Sequence, residues 1–241
     1  MDGGSSNPRL LEIVALCKRF GEQAALANIA FGVGAGEVLG IIGPNGAGKT
    51  TLLETIAGLL PADGGDVLWQ GDALAPASRR NVMFYLPDGV RPYRDQFVVQ
   101  VLSFFAGVYR ASSARLGDAI HHLGLAPVLQ QRVHALSKGY GRRLMLALGL
   151  LAPQPLLLMD EPFDGFDLRQ TRDVMELLRA LAANGRTLVL AIHQLTDAER
   201  VCDRFVFLRE GRVIALGSLG ELRVRTARPD ASLEDLFLAL T

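Results

Sequence analysis

Three short stretches of this chain carry side chains whose order and spacing could do chemistry. The first, Gly43-Pro44-Asn45-Gly46-Ala47-Gly48-Lys49-Thr50, has the spacing GxxxxGK[ST]. A loop that wraps a triphosphate must turn successive backbone N–H groups inward. Glycines permit the close approach and the unusual dihedrals this needs. A helix beginning at Thr50 would aim its positive end at the same phosphates. Lys49 supplies a mobile positive charge, and the Thr50 hydroxyl suits Mg²⁺. The dinucleotide pattern GxGxxG fails, because Thr51 stands where its third small residue belongs.

The second stretch, Leu156-Leu157-Leu158-Met159-Asp160-Glu161, is an apolar run that ends in two carboxylates. Asp160 can hold Mg²⁺, directly or through water. Glu161 can polarise a water for attack on a γ-phosphate. Neighbouring side chains of an extended chain point apart, which assigns one carboxylate to the metal and the other to the nucleophile. The third stretch is Ser137-Lys138-Gly139-Tyr140-Gly141, ahead of an apolar helix expected over 142–151. Ser137 is a candidate N-cap. Arg142 and Arg143 would lie in the first turn, where the helix dipole disfavours cations. Local rules tend to break at functional segments. Each stretch alone has a plainer reading: a glycine turn, a strand leaving the core, a helix start. Their combination on one chain weighs against that reading.

The flanking pattern supplies elements to position them. Strands are expected over 10–16 and 25–33, with a turn over 18–22 between them, and over 37–42, where the short apolar run suits a buried parallel strand. A helix follows over 50–60, with Leu52, Leu53, Ile56, Ala57 and Leu60 on one face. Short strands are expected over 67–69 and 82–86. From Phe97 to Leu151 the pattern is mostly helical, an insert in an α/β core. Strand and helix then alternate: strands over 156–159, 187–192, 204–208 and 213–216, helices over 168–184, 198–202 and 233–240. Such alternation predicts an α/β fold with a mostly parallel sheet covered by helices.

Composition narrows the classes. The chain has 241 residues, 49% of them hydrophobic, enough to bury a sizeable core. Basic and acidic residues balance at 25 each. A protein that coats nucleic acid carries a basic excess to neutralise phosphates, so no nucleic-acid partner is expected. Cys17 and Cys202 form no metal-ligand spacing and are expected as reduced, buried thiols. The polar start MDGGSSNP lacks the apolar stretch of a signal peptide. The most apolar long segment, 144–159, is cut by Pro153 and Pro155, so no membrane span is expected.

Leu136-Ser137-Lys138-Gly139-Tyr140 resembles the LSGGQ signature of ABC ATPases, and it lies ahead of the acidic strand, as in that family. The resemblance runs through nearly the whole chain. It implies a P-loop core over 10–87 and 152–220 with an antiparallel β subdomain, a helical subdomain over 88–151 and a tail over 221–241. It implies ATP contacts from the phosphate loop through Thr51, and adenine stacking by Phe20. Asp164-Gly165-Phe166-Asp167 looks like the D-loop, and His193 like the switch histidine that senses the γ-phosphate. Ser137, Lys138 and Gly139 would act in trans, on the nucleotide of a second ATPase subunit paired head to tail. The implied partner beyond that is a membrane permease. The implied location is the cytoplasmic face of the membrane. The last nine residues, 233–241, resemble the ending of export-type ATPases. Departures are Lys138 for a glycine, Tyr140 for a glutamine, Asp164 for a serine, and Asp88 where the Q-loop glutamine belongs. Asp88 remains a candidate Mg²⁺ ligand beside Thr50 and Asp160. The alternatives are an ABC ATPase serving nucleic acid or ribosomes, a small-molecule kinase, and a non-hydrolysing cassette, the last opposed by Glu161.

Overall fold

Two long strands, β1 (Arg9–Phe20) and β2 (Gln23–Gly34), pair antiparallel. They belong to a computed structural model that describes residues 9–90 and 92–240. The polar start over 1–8 lies outside those residues. Lys18 pairs with Leu26 and Phe20 with Gln23. The turn expected over 18–22 therefore shrinks to Gly21 and Glu22, and Phe20 stands at a strand end. The fully buried β3 (Val38–Ile42) leaves for a second sheet. Then β4 (Gly64–Trp69) and β5 (Asp72–Ala73) complete the first sheet in the order β2-β1-β4-β5.

The second sheet adds β6 (Met83–Leu86), β7 (Leu156–Asp160), β8 (Thr187–Ile192), β9 (Arg204–Arg209) and β10 (Arg212–Gly217). Its order is β10-β9-β3-β8-β7-β6, with only the β9–β10 pairing antiparallel. Register carries the functional consequence. Ile42 pairs with Ile192, Asp160 with Ala191, and Leu86 with Met159. Gly43, Glu161, His193 and Pro87 consequently leave the sheet along one edge, the carboxyl end of the parallel strands, where open α/β sheets bind ligands.

Alternation divides the sheet's side chains between two cores. Leu39, Ile41, Leu158, Val189 and Val206 pack with α1 (Lys49–Ala57) and the first sheet. Ile42, Met159, Leu190 and Phe207 pack with the helices of the other face. Both faces being covered, the parallel strands read as continuous apolar runs. Truncating such a leucine to alanine costs roughly 2–5 kcal/mol.

Helix α1 ends three residues before the expected Leu60. Gly58 adopts the left-handed conformation, φ 80°, and closes it. The last carbonyls are met from α2 (Pro76–Arg79): buried Arg79 Nη1 donates to Thr55 O at 2.7 Å and to Ile56 O at 3.4 Å. The helical segment contains α3 (Val98–Val108), α4 (Ser113–His122) and α5 (Lys138–Leu151). Helix α5 starts four residues earlier than expected, because Ser137 Oγ accepts from Tyr140 N at 3.3 Å. Arg142 and Arg143 thus lie in its second turn, and the cation at the helix's positive end is Lys138 instead.

Downstream come α6 (Leu168–Ala183), α7 (Leu195–Val201), α8 (Leu219–Thr226) and α9 (Leu233–Leu240). Helix α7 begins earlier than expected, and α8 is unexpected altogether. A capping box starts α8: Ser218 Oγ accepts from Glu221 N at 3.3 Å, and Ser218 N donates to Glu221 Oε2 at 2.6 Å. The cysteines are free but only partly buried, a correction to the expectation. Cys17 Sγ faces the neighbouring strand and accepts from Asn28 N at 3.3 Å. Burial pushes the Cys202 thiol pKa up. Among the described residues no helix is long and apolar enough to cross a membrane.

Candidate functional site

The loop over 43–48 leaves β3 and doubles back into α1 under tight steric control. A Cβ at Gly43 would collide with the Leu208 carbonyl oxygen on neighbouring β9. Only glycine lets the loop begin there. At the far side, Gly211 N donates to Ala47 O at 3.0 Å, tying the loop to the β9–β10 turn. Lys49 is buried, 7% exposed, and its ammonium donates to Gly43 O at 2.8 Å and Pro44 O at 3.4 Å. It is thereby pre-positioned inside the ring that the loop describes.

Asp160 ends β7 and is 2% exposed. Thr50 Oγ1 donates to its Oδ2 at 2.6 Å. Burial raises the Asp160 pKa and nearby Asp88 adds to this, while the Thr50 hydrogen bond and the charges of Lys49 and Arg142 oppose it. A buried carboxylate beside a hydroxyl is an all-oxygen donor set, the kind that hard cations choose. Among the described residues no group of three or more His, Cys, Asp or Glu could hold a metal unaided. The oxygen donors of Thr50 and Asp160 fit Mg²⁺, which characteristically keeps waters and shares substrate phosphates.

Glu161 follows with φ 50°. Strand alternation was expected to separate the two carboxylates. Glu161 instead sits past the strand end in a left-handed turn, with Glu161 N donating to Ala191 O at 2.9 Å; its carboxylate meets His193 while that of Asp160 meets Thr50. Its Oε2 accepts from His193 N at 3.3 Å and lies 2.6 Å from His193 Nδ1. A left-handed glutamate in a constrained loop is a strained position, and such positions cluster at functional sites.

Arg142 was legible only as an oddly placed cation, and the structure gives it a definite task. Its side chain is 6% exposed. Nη2 donates to the carbonyls of both Asp160 and Glu161, and Nη1 to Pro87 O at 3.3 Å. Nη1 also lies 3.7 Å from Asp88 Oδ1. One planar fork thus fixes the ends of β6 and β7 to each other. Burial lowers the Arg142 pKa, while the surrounding carboxylates, Asp88 first, raise it. Nearby, the Tyr85 hydroxyl is buried without a hydrogen-bond partner among the described residues, and burial with the charges of Asp160 and Glu54 pushes its pKa up.

These groups surround a cleft of about 600 Å³. Its lining includes Phe20, Pro44, Asn45, Gly46, Gly48, Lys49, Thr50, Thr51, Asp88, Asp160 and Glu161. Phe20 is half exposed, with Lys18 Nζ 5.5 Å from its ring centre. His193 reaches the cleft through Glu161. Ser137, Lys138 and Gly139 do not line it. They border a separate surface hollow with Gly165, Asp167 and Gln170.

A glycine loop between β3 and α1, an acidic strand end and a separate serine-capped helix start are the features of an ATP-binding cassette. The family profile described as "ABC transporter" matches residues 26–164, and the chain belongs to that family. It is similar to the probable multidrug ABC transporter ATP-binding protein YbhF of Escherichia coli (strain K12). That relative is 31% identical over 98% of this chain, and the chain spans 42% of its length. The fluoroquinolones export ATP-binding protein of Mycobacterium tuberculosis (strain H37Rv) is 34% identical, covering 88% of this chain and 71% of its own. A solved ATP-binding subunit of an ABC transporter superposes with a TM-score of 0.87 at 33% identity, covering 96% of this chain and 99% of its own.

Proposed function

We propose that this chain hydrolyses ATP as one half of a head-to-tail pair of cassettes and so drives export through a separate membrane permease. One observation carries the reading: the cleft that holds Lys49, Asp160 and Glu161 lacks Ser137, Lys138 and Gly139, which border a different surface. Phosphoryl transfer needs charge stabilisation around the γ-phosphate from more than one side. A second chain presenting its Ser137 turn supplies the missing side.

In this reading the amides of 43–50 and Lys49 hold the phosphates while Phe20 meets the adenine. Thr50 and Asp160 hold Mg²⁺, with Asp88 beside them. An ion held there would supply positive charge to offset the negative charge of the phosphates. Glu161 orients and deprotonates the attacking water, and His193 holds the Glu161 carboxylate in place and senses the γ-phosphate. The nucleotide becomes part of the interface, so closure follows from its higher affinity for the paired state. The core over 10–87 and 152–220 serves ATP, and the subdomain over 88–151 serves the permease. Exposed Val90 and Tyr93 in the segment after Asp88 give a short cytoplasmic helix of that permease apolar surface to meet. Export, rather than import, is supported by the relatives named for multidrug and fluoroquinolone transport. The cassette would work at the cytoplasmic face of the membrane.

Glu161→Gln tests the reading. Loss of a general base typically costs about 10²–10⁴-fold in rate. ATP binding should persist, and the variant should elute as an ATP-dependent dimer from a sizing column. Unchanged turnover, or a monomer with ATP bound, would overturn the assignment. Lys49→Ala should instead weaken ATP binding itself, measured by calorimetry.

A further inference from the structure

Two residues that depart from the family pattern, Lys138 in the signature and Asp164 in the D-loop, meet each other. Lys138 Nζ lies 2.8 Å from Asp164 Oδ2. The lysine stem rests on the same loop: a Cβ at Gly165 would come within 2.9 Å of Lys138 Cγ. The two backbones are also in contact, since a Cβ at Gly139 would lie 3.3 Å from the Gly165 carbonyl oxygen. Lys138 holds the Asp164 carboxyl below its usual range, first by the hydrogen bond and then by charge, with Arg142 and His193 assisting.

Both side chains are open to water, at 65% and 36% exposure. An exposed pair of this kind adds little to folding. Its position is more informative than its strength. Lys138 is the first residue of α5, next to the Ser137 cap, and Asp164 is three residues beyond Glu161. Asp164 N donates to Glu161 O at 3.2 Å, so the aspartate belongs to the turn that carries that glutamate.

We propose that the Lys138–Asp164 ion pair is a self-restraining contact: Asp164 holds the Lys138 ammonium while the signature surface is open, and the phosphates of an ATP bound by the partner cassette take it over on closure. This rests on the head-to-tail reading above. The lysine stem is flexible and its ammonium is a compact charge that changes partners readily. A polyphosphate offers it more negative charge than one carboxylate. Until then Asp164 competes for it, and that competition raises the ATP concentration needed to close the pair. Closure also releases Asp164 from Lys138, freeing the turn behind Glu161.

The test uses the full chain in a Glu161→Gln background and titrates ATP while reading dimer formation by light scattering. Asp164→Asn should lower the ATP concentration for half-maximal dimerisation about two- to fivefold, the range that loss of an exposed ion pair allows. Lys138→Gly should raise that concentration, and Lys138→Arg should restore part of it. The decisive arm is the double variant: with Lys138 already glycine, Asp164→Asn should have no effect. An unchanged thermal midpoint for each variant certifies the fold. No shift in Asp164→Asn, or the same shift with and without Lys138, would overturn the contact while leaving the dimer intact. If the Glu161→Gln parent stays monomeric with ATP bound, the head-to-tail reading falls and this inference falls with it.

Discussion

The cradle over 43–50 and the signature turn over 137–139 are both helix starts, yet they are built in opposite ways. Helix α1 begins behind a loop held by backbone: Gly43 pressed on Leu208, Ala47 O bonded to Gly211 N, and Lys49 buried against Gly43 O. Helix α5 begins at an exposed turn, held by one serine cap and an ion pair in water. The first is finished within one chain. In the proposed pair, the second is a surface that gains its function when a partner's nucleotide is placed against it. Rigid backbone suits a ligand that must be gripped the same way in each cycle, and adjustable side chains suit a contact that must form and break.

The largest way to break that contrast is to remove the strut that joins the two regions. Arg142 stands on α5 but donates to the carbonyls of Asp160, Glu161 and Pro87. Arg142→Ala removes a buried charged donor from the carbonyls of Asp160 and Pro87, while Glu161 O keeps its bond from Asp164 N. The expected cost is about 3–5 kcal/mol of folding stability, by analogy with breaking a buried charged network, read as a lower urea midpoint. Arg142→Lys keeps the charge but loses the fork. It should retain more stability than alanine and lose turnover more than ATP affinity, because the ends of β6 and β7 are no longer held together.

A smaller blow falls on the cradle alone. Gly43→Ala forces a methyl onto the Leu208 carbonyl, and the loop must move away from β9. A misplacement of about 1 Å at a reacting group can cost about 10²-fold in rate. Here it should appear as lost ATP affinity together with lost turnover. The signature surface should be untouched: a Gly43→Ala chain mixed with a chain carrying Ser137→Glu, whose carboxylate would repel a partner's phosphates, should recover one working site, measurable as ATP turnover that neither chain shows alone. That complementation sharpens the comparison, since it requires the two regions to be supplied by different molecules.

How much of this was legible in the sequence follows the same division. The cradle could be read directly, because a backbone that must approach phosphates dictates glycines at fixed spacing, and an apolar run must end where Asp160 begins. The parallel sheet was legible from its buried runs. Arg142 was not, because its partners are carbonyl oxygens, which every residue possesses and no residue type announces. Glu161 in a left-handed turn left no mark either, since the side chain gives no hint that glycine-like dihedrals are demanded of it. Helix α8 was announced by Ser218 and Glu221 at capping-box spacing, but its apolar stripe is too thin to attract notice. Lys138 and Asp164 were visible only as two separate departures from a family pattern, and their pairing needed coordinates.

The smallest expected effect concerns the cradle's own cost. Asp160 is buried, and burial raises its pKa despite the Thr50 hydrogen bond. A carboxyl whose folded pKa lies above its unfolded value holds its proton more tightly when folded. Its contribution is fully favourable below the ordinary carboxylate range and is lost as pH rises through the folded pKa. At pH 7, without nucleotide or magnesium, Asp160 is therefore a liability, one that the proposed function turns to use as a metal ligand. Asp160→Asn keeps the shape and can still accept from the Thr50 hydroxyl, but carries no charge. It should raise the thermal midpoint at pH 7 while abolishing magnesium-dependent turnover. The gain should shrink as pH falls towards the carboxylate range, where the parent's Asp160 is itself protonated. Adding ATP and magnesium should reverse the order, because ligand that binds only the folded parent stabilises it by mass action. A variant no more stable than its parent at pH 7, or a gain independent of pH, would mean that Thr50 and Lys49 already offset the charge and that the cradle carries no such strain.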